Sequence, residues 1–125
     1  LTSDRFGNSN GAFSFNGLNN YIETQNSPKI SIVGDITMSA WVYDYAPLNN
    51  YHTILTKRDN NGWSYQMSIS FISGSTGQEV NKIYTGRAAG LQSTYLFSNK
   101  SIEFNKWQLI TVVIKSNVAK FYIDA

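Results

Sequence analysis

Seven side chains carry the chemistry of recognition in this chain: Tyr51, His52, Arg58, Asp59, Asn60, Trp63 and Arg87. Aromatic rings cover the flat apolar face of a sugar or a peptide plane, while Asn, Asp, His and Arg add directional hydrogen bonds; set in irregular loops, the two make a binding surface. Trp63 is the strongest of the set, since a ring beside Asn60-Asn61-Gly62 sits where loops gather at one end of a β-sandwich. Each also has a plainer role open to it. Asp59 and Asn60 can simply shape a turn, Arg58 can be a solvated charge, and Trp63 can cap the core.

Catalytic chemistry has less to stand on. The carboxylates are Asp4, Glu23, Asp35, Asp44, Asp59, Glu79, Glu103 and Asp124, and no two fall at i, i+2 or i, i+4 on a shared strand face. Hydrolysis of a glycosidic bond needs two carboxyls about 5–10 Å apart. His52 is the single histidine, which removes multi-histidine metal sites and leaves a general-base candidate whose plainer role is a strand-end side chain. No Gly-x-Ser-x-Gly elbow occurs among the serines, and the ordered Asp-x-Asp-x-Asp-Gly calcium loop is missing. The sequence therefore predicts a module that binds and does not catalyse.

Ten basic against eight acidic residues leave a net charge of +2. Phosphate-binding proteins cluster Lys and Arg, and no such cluster exists, so nucleic acid is not an expected partner. No apolar run approaches the ~20 residues of a membrane span. The opening Leu1-Thr2-Ser3-Asp4-Arg5 is not a signal peptide, and any export address lies outside this chain. Without cysteine, the fold depends on neither disulfides nor thiolate metal sites.

The elements that must hold those side chains are strands. A chain of 125 residues is one domain, able to remove roughly 65% of its unfolded surface from water. Aromatic residues at 14%, frequent Val, Ile and Thr and scarce Pro suit pleated strands. Ile110, Val112 and Ile114 share one face of a strand, and Ala119, Phe121 and Ile123 one face of the next, with Ser116-Asn117 as the turn between them. The same alternation recurs in Ala12–Asn16, Tyr21–Glu23, Thr37–Tyr43, Thr53–Lys57 and Ser64–Phe71, with weaker strands around Ile83-Tyr84 and Tyr95–Phe97. In Thr37–Tyr43 both faces are partly apolar, so periodicity does not say which looks inward. In Ser64–Phe71, Tyr65, Met67, Ile69 and Phe71 form a buried face and Gln66, Ser68 and Ser70 a wet one. Arg58–Gly62 is a hairpin loop, Asp44–Tyr51 an irregular loop and Ser73–Gln78 a Gly/Ser turn. No segment reads as a helix. The expected fold is all-β, with two antiparallel sheets packed face to face.

Four blocks carry a family resemblance. Phe13–Ile22 resembles an "SFDGvdDYv" opening, Ile36–Val42 resembles "fTiSaWv", Ile54–Asp59 resembles "ilsKgd", and Lys106–Val112 with Phe121–Asp124 resembles "W-hhvavt…lYvdG". Together they are similar to the laminin-G-like jelly rolls of the concanavalin-A-like lectin/glucanase superfamily. The resemblance implies a two-sheet antiparallel jelly-roll sandwich spanning 1–125 and a secreted or cell-surface location. It also implies a role in binding carbohydrate through apical loops or, alternatively, in protein interaction and adhesion. Calcium is common in the family, but no residue of this chain is matched to it. The Glu-x-Asp-x-x-Glu strand of glucanase members has no counterpart here. Members extend beyond both ends of this chain, which implies a fragment of a longer module or multidomain protein with sheet edges open to pairing with another chain.

Overall fold

The structure is a computed structural model that describes residues 1–45, 51–59, 62–70, 81–89, 92–116 and 118–125; the side chains of 59, 62, 63, 87–89 and 92–94 fall outside that description. Among the described residues, seven strands form two antiparallel sheets. The strands are β1 (Ile36–Tyr43), β2 (His52–Asp59), β3 (Gly62–Ile69), β4 (Lys82–Ala89), β5 (Gln92–Ser101), β6 (Trp107–Lys115) and β7 (Val118–Ile123). A three-stranded sheet has the order β1-β6-β7, and a four-stranded sheet runs β2-β3-β4-β5. One 3-10 turn, Pro28–Ile30, precedes them.

Alternation and register together build the core. Met38, Val112 and Phe121 are aligned across the three-stranded sheet, with Ile36, Ile114 and Ala119 on one side of that row and Ala40, Ile110 and Ile123 on the other. This fixes the inward face of β1 as Met38, Ala40 and Val42, and leaves Trp41 outside with the Arg5 guanidinium 4.1 Å from its ring centroid. The facing layer comes from Tyr65, Met67, Ile69 and Ile83, with Ile54 packed beside them. Tyr65 remains satisfied at depth because its hydroxyl donates to the Ile30 carbonyl at 2.8 Å, which also ties the 3-10 turn to the sandwich. Thr85 faces the same core and loses its polarity locally by donating to the Gln66 carbonyl at 2.6 Å.

The terminal motif has a mechanical origin. Asp124 takes φ 55, a conformation Asp tolerates better than most residues, and its carboxylate accepts from the Leu109 amide at 2.8 Å and from Gln108 Nε2 at 3.2 Å. Gln108 is buried, and its Oε1 accepts from the Glu103 amide at 2.7 Å. The last residues of β7 are thereby locked to the start of β6.

Two expectations fail. Ala12–Asn16 and Tyr21–Glu23 are not strands; the described pairing there is an isolated bridge between Thr2 and Ala12. A period-two pattern stabilises a strand only when a partner backbone lies alongside. Here the Asn16 side chain satisfies the local amides instead, accepting from Leu18, Asn19 and Asn20 at 3.0–3.2 Å around Gly17 at φ 70. Phe13 is left 65% exposed. The second failure is the wet face of β3: Ser68 and Ser70 are as buried as Met67. Phe71, the 73–78 turn, Asn117 and residues 46–50 and 60–61 of the two expected loops lie outside the described residues.

Candidate functional site

The outward face of the four-stranded sheet explains that burial. Register aligns Thr56, Gln66, Gly86 and Tyr95 in one row across β2 to β5, and Thr53, Ser68, Tyr84 and Phe97 in the adjacent row. Tyr84 lies at the centre with its ring buried, flanked by Tyr51, Phe97 and Tyr95 at centroid distances of 5.2, 5.8 and 6.1 Å. These tilted contacts suit the ring quadrupoles. Gly86 contributes no side chain to the first row, so the sheet dips between Gln66 and Tyr95, as a mid-strand glycine permits where another group must approach closely.

The result is a cleft of about 390 Å3 lined by Tyr51, Thr53, Thr56, Arg58, Gln66, Tyr84, Tyr95 and Phe97. Its volume falls within the roughly 300–1,000 Å3 typical of small-ligand sites. Its floor is a polar network, in which Gln66 Nε2 donates to Ser68 Oγ at 2.8 Å and to the Tyr84 hydroxyl. Burial raises the Tyr84 phenol above its ordinary pKa, opposed by its hydrogen bonds to Ser68 and Gln66 and aided by Tyr51 and Tyr95 nearby. Tyr84 is therefore a neutral donor and acceptor through the physiological range. Above this floor, Tyr95 stays 50% exposed and Tyr51 43%, offering ring surface to solvent.

Of the residues expected from sequence to bind, Tyr51 and Arg58 meet in this cleft. His52 does not line it. Sitting between Tyr51 and Thr53, it takes the opposite face of the strand, where Nδ1 donates to Asp44 Oδ2 at 2.8 Å and joins the end of the three-stranded sheet to the start of the four-stranded one. Trp63 and Asp59 stand in β3 and β2, with Trp63 opposite Arg58 in register, and Arg87 stands in β4 opposite Thr94. The side chains of Asp59, Trp63 and Arg87, and all of Asn60, lie outside the described residues.

Thr53, Thr56, Gln66, Tyr84, Tyr95 and Phe97 were not anticipated. Their sequence signal was the i, i+2 repetition of polar or aromatic side chains, as in Gln66-x-Ser68 and Tyr95-x-Phe97, on strands whose other face was apolar. No three Asp, Glu or His side chains converge among the described residues.

Residues 15–125 match the family described as the concanavalin A-like lectin/glucanases superfamily. Comparison with curated proteins and with solved structures gives no match.

Proposed function

The chain belongs to the concanavalin A-like lectin/glucanase superfamily as a laminin-G-like domain, and from that membership we propose that it is a non-catalytic module of a secreted or surface protein that binds carbohydrate on the outward face of its four-stranded sheet. One observation carries this reading: four aromatic rings and the Gln66 amide converge in a single cleft, with Tyr51 and Tyr95 open to solvent. A pyranose presents an apolar C–H face and a hydroxyl-bearing rim. The rings cover the first, and Gln66, Thr53, Thr56 and Arg58 hydrogen-bond the second. No carboxylate lines the cleft among the described residues, which supports binding without hydrolysis. Among those residues, no helix is long and apolar enough to cross a membrane.

The proposed site lies on the sheet face and takes Tyr51 and Arg58 from the residues expected by sequence. Glycan-array binding followed by calorimetry tests the proposal. Tyr95→Ala lowers affinity about tenfold or more, in line with losing a stacked ring, while the unfolding midpoint stays within a few degrees. Unchanged binding in Tyr95→Ala contradicts it.

A second reading has its own observation. A cleft of about 770 Å3 lies between the edges β5 and β7, lined in part by Leu96, Val118, Phe121 and Tyr122. An unpaired edge beside apolar side chains favours an extended peptide or a second copy of the chain added as a strand. Saturable binding to a protein partner, or concentration-dependent dimerisation, with no glycan response would favour this adhesion role.

A further inference from the structure

Charge in the cleft is one-sided. Arg58 is the charged side chain among the described lining residues, and its guanidinium has no carboxylate partner among the described residues. The neighbouring cation is directed elsewhere, since Lys57 Nζ donates to the Arg58 carbonyl at 3.0 Å. Asp44 is engaged by His52 at the opposite end of β2. A guanidinium with no carboxylate partner among the described residues, at the rim of an aromatic floor, is a fork of N–H donors suited to a planar carboxylate.

We propose, building on the carbohydrate reading above, that the preferred ligand is an acidic glycan whose uronic-acid carboxylate is taken by Arg58 while its pyranose ring rests on Tyr95, Tyr84 and Phe97. The geometry of a uronate fits this division. Its carboxylate projects outward from the ring edge at C5, so stacking the sugar face leaves the carboxylate free to reach a side chain at the rim. Arg58 stands at the end of β2, one alternate position beyond Thr56, and Thr56 shares the row of Gln66 and Tyr95. Recognition of this kind is local. It asks for one fork per carboxylate and not for a basic patch, which agrees with a net charge of only +2.

The deciding experiment measures calorimetric affinity for hexamers of galacturonate, glucuronate and mannuronate, each beside its carboxyl methyl ester, in low and moderate salt. The expected result is a preference of about tenfold or more for at least one free acid over its ester, weakening as salt rises. Arg58→Gln abolishes that preference, lowering affinity for the free acid far more than affinity for the ester. Equal affinity for acid and ester, or a preference that survives Arg58→Gln, overturns the uronate assignment yet leaves carbohydrate binding standing if Tyr95→Ala still weakens both. Absence of binding to these hexamers and to a neutral glycan panel overturns both. Arg58→Lys separates charge from geometry: it retains the salt dependence but not the full preference, because an ammonium lacks the planar fork.

Discussion

The two faces of the four-stranded sheet both hold fully buried side chains and are built from different chemistry. Inward, Tyr65, Met67, Ile69 and Ile83 pack against Met38, Ile110 and Val112, and the Tyr65 and Thr85 hydroxyls that reach this layer each donate to a backbone carbonyl. Outward, Ser68 and Tyr84 are also removed from solvent, but they are removed by one another and by Gln66, with half-exposed rings standing above them. Burial therefore does not separate core from site. The separation lies in what remains open to solvent: among the described residues the inner face keeps Tyr65 buried, whereas the outer face presents the rings of Tyr51 and Tyr95.

The contrast breaks most severely on the inner side. Met67 is fully buried with 0% exposure, and Met67→Ala is expected to cost about 2–5 kcal/mol through lost transfer energy and the cavity left behind. Urea unfolding checks this, and glycan affinity measured well below the midpoint should be unaltered. Tyr95→Ala is the mirror case, with affinity lost and stability kept. If both variants lost stability and affinity together, the two faces would form one cooperative unit and the distinction would fail.

A smaller effect comes from Tyr84→Phe. At neutral pH it removes the hydroxyl that accepts from Gln66, a loss of about 1 kcal/mol. The sign with pH follows from burial. Tyr84's pKa is raised in the folded state, so its contribution is fully present below the ordinary tyrosine value of 10.0 and is lost as pH rises through the higher folded value, where the unfolded chain releases the proton first. The variant lacks that term. The stability gap between native protein and Tyr84→Phe should shrink from pH 9 to above pH 11; a constant gap would mean the ring is not held neutral by its surroundings.

Much of the fold was legible because one periodicity suffices for it. Ile110, Val112 and Ile114 announce their face from sequence alone, and Phe121 and Ile123 announce theirs. The outer cleft was not legible by the same route. Gln66, Tyr84 and Tyr95 lie on three strands far apart in sequence, and only register brings them into neighbouring rows. Alternation marked Ser68 as polar but could not say that Tyr84 and Gln66 would cover it. The Phe13 and Phe15 pattern misled for the converse reason, since it was read as a strand without a partner to hold it. Family motifs were informative where they encode turns, as Asn16-Gly17 and Asp124 do, and silent about ligand.

The most direct test of the central claim is backbone and side-chain NMR of the labelled protein during titration with the tightest-binding oligosaccharide. The predicted result is that shifts concentrate on Gln66, Tyr84, Gly86, Tyr95 and Phe97, with Met67, Ile83 and Val112 unmoved. Perturbation confined to the loop ends, or to the β7 edge, with this row of residues silent, would contradict the assignment of binding to the sheet face.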